Sequence, residues 1–225
     1  LYASISTVKQ STPTTHTMLY RAVPITVILL VFIGLGITYN AYTPLWSPPD
    51  EELHFAYCQY IARNHCLPPL QSNAEEHRVS LAFHPPLYYI IGSLFCKSND
   101  PAIQDLIVVD DGPGLNRIKH PQGENSVAAS ACRLRVFTLL LSAITLCCIY
   151  IMALTIFPGN TPLAAAAALF VGTNPQFIYV AASISNETIA VTLSTLYLLL
   201  LIRYATYNVS GREIFCTGIA LGACL

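Results

Sequence analysis

Hydrophobic positions in this chain come in long blocks, without the strict alternation of a half-buried strand. The first block, Ala22 to Ala41, holds no charged residue and has the ~20 residues a helix needs to cross a bilayer core. Further blocks run from Val136 to Phe157, from Pro162 to Ser183 and from Thr188 to Ile202, and another opens at Ile214. Pro175 interrupts the third, which reads as one kinked helix, because pieces split at Asn174 are too short to cross. The turns "PGNT" and "ISNE" are short, so consecutive spans are expected to be antiparallel neighbours. The pattern predicts an all-α polytopic transmembrane bundle.

A polar stretch, Tyr42 to Cys132, separates the first two blocks. In "SPPDEELHFAYCQYIARNHCLP", residues 47–68, helical spacing puts Leu53, Ala56, Tyr57, Tyr60 and Ile61 on one stripe. Asp50, Glu51, His54, Arg63 and Asn64 fall off it, and Ser47 is placed to cap. That predicts an amphipathic helix over 49–64, lying along the membrane surface. "FHPPLYYIIGSLF", residues 83–95, predicts a second apolar helix opened by Pro85 and Pro86, with Tyr88 and Tyr89 suited to an interface.

Composition agrees with the blocks. The chain is 54% hydrophobic and 10% charged, against about 25% charged in soluble domains. A net charge of −1 without a basic stripe gives no reason to expect a nucleic-acid partner. The first residue is Leu1 and the last, Leu225, lies inside an apolar run, so the chain reads as a piece of a longer protein. No cleavable signal peptide is evident, since residues 1–20 are polar and the run after them is long enough to span.

Lys9 and Arg21 before the first block, with Arg203 and Arg212 after the fourth, predict a cytoplasmic segment over 1–21. The loop 42–132 is then outside, in the periplasm or lumen. It gathers ten of the twelve acids and five of the six histidines, and Glu187 falls in the second outer turn. Transporters usually place ionisable groups near the midplane. These spans are almost free of charge, and only "TNPQ", Thr173–Gln176, favours transport. Cys58, Cys66, Cys96 and Cys132 are outside and allow two disulfides in three pairings. No CxxC or paired Cys/His spacing marks a zinc site.

Acids at positions 50–52 suit the positive end of a helix dipole. That does not explain His54, one turn beyond Asp50. A carboxylate beside an imidazole can act as base, proton relay or metal ligand.

The order of a first span, "PPDEELHFAYCQYIARNHCLP", "HPPLYYIIGSLF", "RLRVFTLLLSAITLCCIYIMAL" and "NPQFIYVAASISNETIAVTL" resembles the start of a GT-C membrane glycosyltransferase. It is most similar to the family 39-like, lipid-carrier-dependent enzymes and to related membrane proteins with a "PDExxHF" motif. The resemblance covers roughly residues 22–203. It implies a large first outer loop with two helices along the membrane. It also implies transfer of a sugar from a polyprenyl-phosphate carrier to an acceptor at the non-cytosolic face. On it, Asp50 matches the catalytic acid, Glu51 its neighbour and Glu187 the acid of the second outer loop. His54 is a candidate to hold Asp50 or touch the phosphate. His84, Arg133, Arg135 and Tyr88 are candidate substrate contacts. No D-x-D motif supports a divalent metal, and no cofactor is implied. The alternative is a non-catalytic scaffold or subunit of a membrane protein assembly with the same fold.

Overall fold

The computed structural model describes residues 15–69, 81–101, 108–109, 118–119, 125–207 and 211–224. Helix dominates them: α1 Thr15–Tyr42, α2 Glu51–Asn64, α3 Leu87–Ser93, α4 Asn125–Ile156, α5 Thr161–Gly172, α6 Pro175–Ala181, α7 Glu187–Thr206 and α8 Gly211–Cys224. One antiparallel ladder interrupts them, β1 Val108–Val109 against β2 Ile118–Lys119, with Val108 opposite Lys119.

Among the described residues three helices are long and apolar enough to cross a membrane, over Tyr20–Tyr42 in α1, Ser126–Ile156 in α4 and Glu187–Thr206 in α7. A fourth crossing is made if α5 and α6, which meet at 66°, form one broken span. The expected single kinked helix over 162–183 is corrected here: helix stops at Gly172 and restarts at Pro175. The physical reason lies at the break. Proline has no N–H to donate and suits a first helical turn. The Asn174 side chain, just before it, accepts from the N–H groups of Gln176 at 2.9 Å and Phe177 at 3.4 Å. The new helix therefore has its own cap. The last apolar run forms α8 from Gly211, a few residues ahead of the expected Ile214, and is helical as far as the described residues extend.

α4 begins at Asn125, well ahead of the expected Val136. Its 32 residues extend about 48 Å, longer than a ~30 Å bilayer core requires. Its first turns carry Arg133 and Arg135. α4 is central, packing against α1, α5 and α7, while α2 packs on α3 and α8 on α7.

α4 buries hydroxyl-bearing residues among its apolar contacts and turns other apolar residues outward. Thr138, Ser142 and Thr145 are at most 2% exposed, whereas Val136, Leu140 and Ile144 are 46–52% exposed. Buried hydroxyls find partners. Thr145 and Thr192 bond across the α4–α7 contact at 2.9 Å, and the Thr192 hydroxyl also reaches the Leu141 carbonyl at 3.1 Å. Apolar positions facing outward and hydroxyls bonding between helices suit a lipid solvent. At the far end of the bundle the Tyr150 hydroxyl donates to the Arg21 carbonyl at 2.6 Å, tying α4 to α1.

Small residues set the close approaches. Ala164 and Ala168 of α5 are fully buried beside Ile28 and Tyr150. A Cβ on Gly36 would lie 2.4 Å from a Leu139 methyl, whereas one on Gly34 meets nothing within 4 Å. Gly36→Val is therefore expected to destabilise the fold by about 1–3 kcal/mol through overpacking of α1 on α4. Gly34→Ala is expected to be near neutral, and thermal unfolding in detergent compares the two.

Candidate functional site

The chain leaves α1 through "TPLWSPPD", residues 43–50, a turn with three prolines. Two of its residues adopt left-handed backbone, Trp46 at φ 65° and Asp50 at φ 57°. This is a costly conformation for a bulky side chain. At Trp46 it is tied to a purpose: the buried residue turns its N–H onto the Glu51 carboxylate at 2.8 Å.

Glu51 is fully buried and meets Arg135, itself 1% exposed, in a two-pronged ion pair. Arg135 Nε and Nη2 each donate to a different carboxylate oxygen at 2.7 Å. The Ile184 N–H, from the turn before α7, donates to the same carboxylate at 3.1 Å. Trp46 and Ile184 thus fill the two positions that Arg135 leaves. The arginine is equally engaged. Its remaining donors reach the carbonyls of Thr43 at 2.9 Å and Pro44 at 3.0 Å, and the Asn40 side-chain oxygen at 3.2 Å. All five guanidinium hydrogens and all four carboxylate lone pairs have partners. Glu51 therefore has no lone pair left for a substrate proton, and Arg135 no donor left for a phosphate. Their geometry is that of a clamp joining the end of α1, α2, α4 and the turn before α7.

The expected amphipathic face of α2 is also revised. Its buried residues are Glu51 and the run His54 to Gln59, so the face carrying Glu51 and His54 is covered by protein. Those polar groups are inside because they bond to one another and to neighbours. The helix starts at Glu51, with Asp50, rather than Ser47, at the cap position and making no side-chain capping bond.

Beside the clamp lies a second polar unit. His54 is 6% exposed and partly buried His84 precedes α3. The Tyr89 hydroxyl bridges them, 2.9 Å from His54 Nδ1 and 3.0 Å from His84 Nδ1. Tyr89 is fully buried and stacks on Tyr57 with ring centres 3.9 Å apart. Burial pushes the Tyr89 phenol well up, with Cys58 and Tyr57 adding to it. The hydroxyl thus keeps its hydrogen and gives it to one ring while accepting from the other. Burial, with a smaller push from His84 and against the pull of Asp50, brings the His54 imidazolium down to about 4. The imidazole is neutral near pH 7.

Other expected site residues are placed differently. Tyr88 is fully buried, with its hydroxyl 3.1 Å from Thr138 Oγ1. Arg133 is exposed and donates to the Phe95 carbonyl at 2.9 Å and to Ser130 at 2.8 Å. Glu187 is exposed at the start of α7. The Ile184–Glu51 contact places the turn before it at the same end of the bundle as Asp50. The cavity that Glu187 lines, however, is lined by neither Asp50 nor His54. Among the described residues no three His, Cys, Asp or Glu side chains gather as a metal site. Cys58, Cys66, Cys96 and Cys132 are unpaired thiols, Cys58 buried and Cys66 and Cys132 exposed. Tyr89 is the residue that sequence reasoning missed. Its signal was its position five residues after His84, within the paired tyrosines.

No family model, curated protein or solved structure matches the chain.

Two outcomes follow from this geometry. Arg135→Met strands a buried carboxylate and is expected to cost about 3–5 kcal/mol in thermal unfolding. The double variant Glu51→Leu/Arg135→Met is expected to lose less, because neither charge is left alone. For His54 the folded value lies below the ordinary 6.5. Protons therefore bind the unfolded chain first, and stability present above pH 6.5 is lost as pH falls towards 4. That gap corresponds to roughly 3 kcal/mol. His54→Phe is expected to flatten this part of the pH profile measured by unfolding in detergent.

Proposed function

We propose that this chain is part of a multi-pass membrane glycosyltransferase. It moves a sugar from a polyprenyl-phosphate carrier to an acceptor at the non-cytosolic face, with the loop 42–132 in the periplasm or lumen. The observation that carries the reading is the His54–Tyr89–His84 chain of hydrogen bonds, one turn from the uncapped carboxylate of Asp50. The apolar exterior of the long helices supports the membrane setting.

In this reaction the acceptor oxygen attacks the anomeric carbon, the carbon–oxygen bond to phosphate breaks, and phosphate departs with that electron pair. The acceptor's proton must go to a base. Asp50 is exposed and makes no capping bond, so its carboxylate is available to take it. Its left-handed backbone is the kind of local strain that concentrates at functional sites. The imidazoles and Tyr89 then supply a path along which a proton moves from one ring to the other. Glu51 and Arg135 act by fixing the start of α2, which sets where Asp50 and His54 point. With Arg135 engaged, Arg133 and His84 are the groups left to meet the departing phosphate, Arg133 through a planar fork that suits it.

The buried Glu51–Arg135 pair favours one other reading, a non-catalytic scaffold of a membrane protein assembly, because it ties acidic and basic groups to architecture. Transfer assays separate the two. Asp50→Asn is expected to reduce sugar transfer from a polyprenyl-phosphate donor by ~10²–10⁴-fold with expression and thermal stability retained. Tyr89→Phe, which keeps the ring stack and removes the bridging hydroxyl, is expected to lower the rate and alter its pH dependence. Full transfer by Asp50→Asn removes the base assignment, and a folded wild-type protein without transfer activity favours the scaffold.

A further inference from the structure

The break between α5 and α6 creates a feature separate from the α2 site. A cavity of about 370 Å³ lies between that elbow and α4 and α7. Phe170, Phe177 and Val191 give it apolar walls, and Asn174, Gln176, Glu187 and Thr188 supply polar groups. Its size places it among pockets that hold small ligands.

Its charge is one-sided. Among the described residues Glu187 is the only ionisable one lining it, with no arginine, lysine or histidine there. Arg135, the cation buried at this end of α4, is committed to Glu51. The positive end of the α7 dipole offsets only about half a charge. Thr188 also lines the cavity, is 5% exposed, and its hydroxyl has no hydrogen-bond partner. A change of side-chain rotamer exchanges its methyl and hydroxyl. Asn174 caps α6 through its oxygen, and its amide nitrogen is not used by that cap. An anionic head group would face an unopposed carboxylate here. A cation would complete it, and an apolar chain would suit the rest of the wall.

We propose that this cavity binds an amphipathic monocation, an alkylammonium whose head pairs with Glu187 and whose chain lies along Phe170, Phe177 and Val191. Sugar transfer plays no part in this binding, so it stands or falls independently of the α2 site.

Isothermal titration of the full chain in nanodiscs, with empty nanodiscs subtracted, tests it using decylammonium, decanol and decyl phosphate. Decylammonium is expected to bind at least tenfold more tightly than decanol, with decyl phosphate weakest. Glu187→Gln is expected to remove that advantage and leave decanol unchanged. Val191→Trp, at a half-exposed position, fills the cavity from its apolar side and is expected to weaken all three probes. It locates the site even where Glu187→Gln does not fold. Equal affinity for the three probes, a preference for ammonium that survives Glu187→Gln, affinities untouched by Val191→Trp, or uptake by empty nanodiscs alone would overturn the proposal.

Discussion

The contact between Glu51 and Arg135 constrains the rest of the structure. Two opposite charges with almost no exposure are tolerable only when every donor and acceptor is used. That requirement reaches into four parts of the chain: the end of α1 at Asn40 to Pro44, Trp46, α4 and the turn at Ile184. Breaking one member leaves another buried and unpaired, so these parts are coupled. The positive φ of Trp46 is local strain retained because the N–H it aims is needed. The pair sets geometry more than it adds net stability, since desolvation consumes much of the attraction.

Around that clamp, aromatic packing and polar bridging share the same side chains. Trp46 meets Phe55 edge-on, Tyr57 stacks on Tyr89, and Tyr88 packs on Phe137. The arrangement holds His54 and His84 with ring centres 5.9 Å apart. Nearly the whole middle of α2 is therefore inside protein. Elsewhere the bundle uses small side chains and hydroxyl contacts, as at Ala164, Ala168 and the Thr145–Thr192 pair.

The long helices were legible because lipid-crossing imposes a composition that reads directly in sequence: charge-free runs near Ala22–Ala41 and Val136–Phe157 have few other uses. The turn from Asp50 to His54 was legible for the same kind of reason, since residues four apart share a helix face. Three things were not. The start of α4 at Asn125 lies in polar sequence, where hydropathy is silent. The break at Asn174 depends on a side-chain cap competing with a continuous helix, which a proline alone does not decide. The partnership of Glu51 with Arg135 spans 84 positions, and one sequence carries no record of which distant charges meet. Its acid was therefore read as chemistry when its surroundings make it framework.

The shared hydroxyl of Tyr89 has one last implication. A phenol has a single hydrogen, so of the two rings on it one receives at Nδ1 and the other gives. Whenever each ring carries one hydrogen, their outer nitrogens are opposite in kind, a bare lone pair on one imidazole and an N–H on the other. A molecule touching both meets an unlike couple, and inverting that couple means giving a hydrogen to one outer nitrogen and taking one from the other while the two in the bridge shift as well.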